Sequence, residues 1–346
     1  MGGVRIDVLA GAGGVGKTTV AAATALALAD SGQKTLVMTF DPSRRLKDTL
    51  GISARAGDEE APVEGCGGNL FASLLDARAT FDTLIERHAP DAAVRQRILD
   101  NRYYQQLAGS LAGILEYMAV ERLFEVAQAG RYERVVLDTP PVSQALDFLE
   151  APGRIVDFLD SGAVRLATGN WFDGEGHLRA VGRFGRLGRR FERYLDDLVG
   201  LDLLRDLVEF FTAFKPLFAG FRDRASRVED LLRLPTTQFT LVTTASEDRT
   251  EDTLFFARRL MEAGLHLRGV VANRIHPSPQ GANRHPGELA VLGRAVAERE
   301  ARALDSAEEL LGTTATLETL PLLACEPVDV EGLRRLAGLR REYRQD

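Results

Sequence analysis

The chain has 346 residues, 45% of them hydrophobic and 27% charged, enough to bury a large core in one α/β domain with an elaborate insertion. Its formal net charge of −7 provides no global basic field, so nucleic acid is not an expected partner, and membrane contact is expected only indirectly or through a cargo. No apolar run approaches the roughly 18 residues of a membrane span and no basic-then-apolar leader opens the chain, which makes the cytoplasm the expected location.

Arg5 to Ala10 reads as a buried strand, and the segment GAGGVGKTT, Gly11 to Thr19, leads from it into a helical run from Val20 to Asp30. Further apolar or β-branched runs at Lys34 to Phe40, Leu70 to Leu75, Arg134 to Leu137, Phe239 to Thr244, Arg268 to Ala272 and Leu317 to Leu323 read as strands. A helical run from Glu251 to Ala263 separates two of them. Strands alternating with helices imply parallel pairing, hence a doubly wound, mostly parallel sheet.

Two long segments interrupt the alternation. Residues of about 80–130 and 152–234 carry few strand signals and show helical apolar spacing, as at Leu204, Leu207, Val208 and Phe211. They are expected to form a helical subdomain inserted into a single domain spanning 1–346. Within the second, Gly162 to Gly188 is glycine-rich and reads as a loop. The terminal EGLRRLAGLRREYRQD places Leu333, Leu336 and Leu339 along one side, the pattern of a last helix docking on the sheet, with a membrane-surface helix as the alternative. Cys66 and Cys325 form no metal-binding pattern and read as two small buried thiols.

The residues GAGGVGKT satisfy GxxxxGK[ST], between a strand and a helix. In such a loop Gly11, Ala12, Gly13, Gly14, Val15 and Gly16 turn backbone N–H groups around phosphate oxygens. Lys17 neutralises the β- and γ-phosphates, Thr18 offers a hydroxyl to Mg²⁺, and Thr19 continues into the helix N-terminus. The expected ligands are therefore ATP or ADP with Mg²⁺. Asp41 and Asp138 each end a strand, where open α/β sheets bind their ligands. Asp138 is a candidate metal ligand, and Asp41 is a candidate for orienting water or joining the metal's outer shell. The strand VVANR closes with Asn273 and Arg274, and the Asn273 amide suits a purine edge, although asparagine after a strand is also a common turn residue.

The stretches GAGGVGKTT, TFDPSRRLKDTLG, NLFASLLDA, VVLDTPPVSQALDFL, VVANR and LPLLACEPVDVEGL occur in this order. Together they resemble the deviant Walker A ATPases, which include the arsenite-pump ATPase and the guided-entry ATPase for tail-anchored proteins. The resemblance covers nearly the whole chain and is weakest in the helical insertions. It implies that Lys17, Asp41 and Asp138 are catalytic, that Thr18, Asp41 and Asp138 serve the metal, that Asn273 reads adenine, and that the loop after Pro321 flanks the base. It also implies an ATP hydrolase working as a nucleotide-gated dimer with a possible protein cargo.

The departures are specific. The family loop reads GKGGVGKT, and its first lysine reaches the partner's ATP, whereas this chain has Ala12. Three readings stay open: a heterodimer with a lysine-bearing homologous subunit, favoured over a homodimer; substitution by Arg44 or Arg45; or weak hydrolysis. Ser43 and Arg44 replace alanine and histidine in the first switch, and Val142, Ser143 and Gln144 replace threonine, glycine and histidine in the second. The family's zinc-clamping and arsenite-sensing cysteines have no counterparts, so arsenite export is not expected. A dimeric switch ATPase, an assembly subunit with little hydrolysis, and a membrane-protein targeting factor are the functions to separate.

Overall fold

In a computed structural model the protein is described at residues 3–39, 45–52, 57–101, 104–105, 114–141, 150–154, 156–157, 160, 211–277 and 288–344. The chain divides into two compact units, one of Met1–Asp76, Arg122–Leu149 and Asp230–Asp346, the other of Ala77–Glu121 and Glu150–Glu229.

The first unit is built on a nine-stranded sheet of β1 (Arg5–Gly11), β2 (Thr35–Thr39), β3 (Gly57–Pro62), β4 (Leu70–Leu74), β5 (Arg134–Pro141), β6 (Thr237–Thr243), β7 (His266–Ile275), β8 (Thr316–Pro321) and β9 (Arg341–Glu342). Their spatial order is β3-β4-β2-β5-β1-β6-β7-β8-β9. All neighbours from β4 to β8 pair in parallel, and the two outermost strands, β3 and β9, are antiparallel. This is the mostly parallel α/β sheet expected. The central strands are apolar along nearly their whole length because helices cover both faces of such a sheet; in β2 even Thr35 and Thr39 are buried.

Helix α1 (Lys17–Asp30) follows β1 and carries alanine, leucine and valine on most of its surface, with Val20, Ala21, Ala22, Ala23, Ala25, Leu26 and Ala29 buried. A helix apolar on nearly all sides must be enclosed. Sheet residues such as Val37 and Val136 share its core cluster, as do Leu333 and Leu336. Those leucines come from the last helix, which spans Val330–Gly338, packs beside α1 and is tied to it by a two-pronged ion pair from Arg334 to Asp30 at 2.7 and 3.0 Å. The terminal segment thus docks, but on α1, and its helix is shorter than the sequence suggested. Leu339 lies beyond the helix and is exposed, and the chain turns back to form β9 against β8.

Edge strand β3, GDEEAP, carries no apolar alternation. It is held by Glu60, whose buried carboxylate accepts from Tyr132 Oη (2.6 Å), Arg131 (2.6 Å) and Arg122 (3.2 Å). Charged side chains on an outer strand also discourage edge-to-edge association. Of the two cysteines Cys66 is buried, but Cys325 is exposed, because it lies in the irregular stretch after β8 and not in an element.

The second unit contains the helices Ala77–His88 and Ala92–Leu99 together with parts of Ile114–Ala129 and Phe218–Arg233. Its core is aromatic, with Phe81 5.2 Å from Tyr104 and 6.1 Å from Phe221 between ring centres. Phe211 packs against this core; Leu204, Leu207 and Val208, and the loop Gly162 to Gly188, lie outside the described residues. Within it the Glu121 carboxylate is fully buried, accepting from Tyr117 Oη at 3.1 Å and from Nε and one terminal nitrogen, Nη2, of Arg224.

Candidate functional site

Strand β1 places the glycine loop at the carboxyl end of the sheet, where the strand order reverses across β5, β1 and β6. Gly11 lies beside Val242 of β6, and a Cβ at Gly11 would sit 2.1 Å from the Val242 carbonyl oxygen. A side chain here would push the loop off the sheet. Gly16 forms the N-cap of α1 with φ 91°, a left-handed conformation that glycine adopts without steric cost. A Cβ there would meet the Asn273 amide nitrogen at 2.4 Å. Gly13 and Gly14 are exposed, Ala12 and Gly16 half-buried, and Val15 buried.

The chemistry-bearing side chains converge on this loop through strand register. Lys17 is buried and its Nζ donates to the Ala12 carbonyl at 3.0 Å, spanning the loop. Thr18, on the first turn of α1, donates its hydroxyl to Asp138 Oδ2 at 2.7 Å. Asp138 pairs in register with Leu9 on one side and Thr39 on the other, which sets it directly beside β1 and β2. Thr39 donates to the same Oδ2 at 2.9 Å, and Thr139 donates to the Leu9 carbonyl at 2.8 Å. Asp138 is thus a 1% exposed carboxylate fixed by two hydroxyls at the end of the central strand. Thr19 is half-buried on the next position of α1.

The other expected residues come from β7 and β8. Asn273 is 6% exposed; its Nδ2 donates to the Val15 carbonyl at 2.8 Å, and its Oδ1 accepts from Arg274 N–H at 2.9 Å. Arg274 has φ 64°, the one positive value among the described non-glycine residues. Its guanidinium donates to the Gly14 carbonyl at 3.0 Å and lies 3.4 Å from the Glu326 carboxylate. Pro321 ends β8 opposite Ile275 of β7 and is half-buried.

The structure thus brings together Lys17, Thr18, Asp138, Asn273 and Arg274 around Ala12, Gly14 and Val15. Asp41, Ser43, Arg44, Val142, Ser143 and Gln144 lie outside the described residues, and Arg45 is described only as the first residue of the short helix Arg45–Leu50. Sequence reasoning missed Thr39 and Glu326. Thr39 was visible as a hydroxyl ending an otherwise apolar strand, whereas nothing local marked Glu326. Among the described residues no cluster of three or more His, Cys, Asp or Glu forms a self-contained metal site, and no helix is long and apolar enough to cross a membrane.

A glycine loop on a helix N-terminus, a lysine across it and a threonine–aspartate pair beside it have the chemistry to hold an anion, with hard oxygen donors next to it. Residues 4–165, which carry all of this but Asn273 and Arg274, match the model of the family described as anion-transporting ATPase. This part of the chain is similar to the anion-transporting ATPase family. The chain is also similar to Protein Rv2184c of Mycobacterium tuberculosis, 33% identical over 162 residues, covering 43% of this chain and 37% of that protein. ATPase GET3 of Podospora anserina is 31% identical over 142 residues, 41% of each chain. ATPase GET3 of Kluyveromyces lactis is 27% identical over 209 residues, covering 56% of this chain and 59% of that one. The chain spans about two-fifths of the length of the first two relatives.

Proposed function

We propose that the chain binds ATP at the Gly11 to Thr19 loop and hydrolyses it with Mg²⁺, as one half of a dimeric switch of the arsenite-pump and guided-entry type. The observation that carries this reading is the Thr18 to Asp138 contact of 2.7 Å beside a loop crossed by Lys17. The hydroxyl and carboxylate are hard oxygen donors suited to Mg²⁺, directly or through water. Bound there, the ion would neutralise phosphate charge. Lys17 would add a second cation to the phosphates, and the α1 N-terminus its partial positive charge. Asp41 is proposed to orient the attacking water, and Pro321 to border the base. The fold is proposed as one domain, 1–346, of the deviant Walker A type, with the unit Ala77–Glu121 and Glu150–Glu229 as its inserted helical part and the face that meets a protein cargo.

Ala12 supports a further step. Its carbonyl takes the Lys17 ammonium, a contact any residue at that position supplies, but its methyl cannot reach another subunit. A homologous subunit carrying the lysine is therefore proposed as the partner, in preference to a second copy of this chain, and arsenite export is not part of the proposal. The same residue favours a second reading, an assembly subunit that binds ATP and hydrolyses little.

The test is the mass and ATP turnover of the purified full chain with Mg²⁺, beside Lys17→Ala and Ala12→Lys. The proposal expects ATP binding that Lys17→Ala abolishes and little turnover by the chain alone, with a gain in Ala12→Lys on the order of 10³, the lower range for charge-stabilising fingers supplied in trans, only at concentrations that force two copies to pair. A chain alone that dimerises and turns over at full rate would overturn the heterodimer, and one that binds no nucleotide would overturn the whole reading.

A further inference from the structure

We infer that Asn273 and Arg274 are positioning residues for the phosphate loop: together they hold its Gly14 and Val15 carbonyls so that the intervening N–H groups face the anion. The inference rests on the nucleotide-binding reading above and changes what Asn273 does within it, from contacting a base to shaping the loop that meets phosphate.

The argument follows from peptide geometry. A trans peptide points its C=O and N–H in opposite directions. The Gly14 carbonyl is drawn toward β7 by the Arg274 guanidinium at 3.0 Å, and the Val15 carbonyl by the Asn273 amide at 2.8 Å. The N–H groups of Val15 and Gly16, which belong to those same two peptides, are therefore turned to the opposite side of the loop. Gly14 and Gly16 have φ of 79° and 91°, and backbones that alternate in this way line up successive N–H groups into an anion-binding concavity. Two adjacent residues of one strand thus fix two adjacent peptides of the loop.

Three observations show that the arrangement is built. Asn273 is buried, and the other end of its amide accepts from Arg274 N–H at 2.9 Å, so the carboxamide is oriented by main chain on both sides. Arg274 holds a positive φ of 64°, a conformation arginine rarely adopts and one that the surrounding contacts must maintain. The loop approaches so closely that any side chain at Gly16 would strike the Asn273 nitrogen at 2.4 Å. Strand order explains why β7 supplies the holder. β6 lies between β1 and β7 and ends at Thr243 opposite Ala272, so Asn273 is the first β7 residue to clear it and reach the loop.

The experiment compares ATP with inorganic tripolyphosphate, which has the phosphates and no base, on the full chain and its Asn273→Ala variant, by calorimetric titration in Mg²⁺. A loop-holding role predicts that both ligands weaken by the same factor, at least tenfold, with the ligand-free variant still folded at the titration temperature. Arg274→Gly, at an exposed position whose positive φ glycine accepts, is expected to weaken both ligands in the same ratio as each other. The amide ¹⁵N resonances of Val15 and Gly16 should shift in the ligand-free variants, since hydrogen bonding at a carbonyl polarises its own peptide N–H; a change of stability alone would not move these two signals selectively. Loss of ATP affinity with tripolyphosphate unchanged would overturn the inference in favour of base contact. Failure of the unaltered chain to bind either ligand would instead overturn the nucleotide reading beneath it.

Discussion

Replacing Gly16 by alanine tests how far the loop's shape is fixed before any ligand arrives. Two costs add. The left-handed backbone, φ 91°, costs an L-residue about 1–2 kcal/mol. The new Cβ would also lie 2.4 Å from Asn273 Nδ2, so the amide must swing away from the Val15 carbonyl, leaving a buried donor and acceptor unsatisfied at about 1–3 kcal/mol. The sum is about 2–5 kcal/mol against the binding-competent loop, and at about 1.4 kcal/mol per decade its low end already weakens ATP about 30-fold. Gly32→Ala is the control, because Gly32 shares a positive φ of 90° but has nothing within 4 Å; it should lose about 1 kcal/mol of stability and keep its affinity. Isothermal titration with Mg²⁺ and ATP, beside thermal melting, separates the two. A Gly16→Ala chain that binds ATP within about threefold of the parent would refute the claim that loop geometry limits binding.

The thiols should differ in reactivity: burial pushes the Cys66 thiol above its ordinary pKa, whereas Cys325 is exposed. Maleimide is therefore expected to label one site quickly in the native chain and the second only on unfolding, and equal native rates at both would contradict the burial. The hydrogen bond from Arg334 holds the Asp30 carboxyl below the usual carboxylate range, against the opposing effect of burial. A depressed native pKa stabilises the fold above the unfolded pKa of about 4, and that stabilisation is lost as pH falls below it. Asp30→Asn should thus cost under about 1 kcal/mol at neutral pH, as expected for a partly exposed pair, with the difference from the parent shrinking in acid; a difference that grows in acid denaturation curves would reverse the assignment. Glu121→Ala should destabilise the helical unit by about 3–5 kcal/mol, because it strands the buried Tyr117 hydroxyl and the half-buried Arg224 guanidinium. Guanidinium unfolding followed by the helical signal reads this, and a loss under about 1 kcal/mol would show that the carboxylate is dispensable.

The sheet was legible where burial writes itself into every residue. Strands β1, β2 and β5 lie inside the sheet, so runs such as VLA, LVM and VVL announce them, and α1 is marked by its unbroken small and apolar residues. The outer strands were not legible, because what holds them is distant in sequence: GDEEAP becomes a strand through the donors that Tyr132, Arg131 and Arg122 offer to Glu60. The two-residue β9 exists only because the chain turns back onto β8 after the helix Val330–Gly338. In the site, residue types disclosed the loop, the lysine and the aspartate. They did not disclose where the Asn273 amide points, since a carboxamide at a strand end serves a base edge or a carbonyl equally well, and only the position of β6 between β1 and β7 shows that the Val15 carbonyl lies within its reach.

The same distinction between side chain and main chain explains how this loop tolerates its most conspicuous departure. At Gly11 and Gly16 the absence of a side chain is required by the Val242 carbonyl and the Asn273 amide, so neither position can vary without moving a neighbour. At Ala12 the loop uses only the carbonyl, which receives the Lys17 ammonium, while the methyl packs against the core cluster under α1. Exchanging a long cationic side chain for alanine here leaves the contact that organises Lys17 available and removes only what would project from the loop. The proposed phosphate binding and any charge donation to a neighbouring subunit would thus be separable at a single residue. A loop that keeps the first and lacks the second is what the proposed lysine-bearing partner would complement.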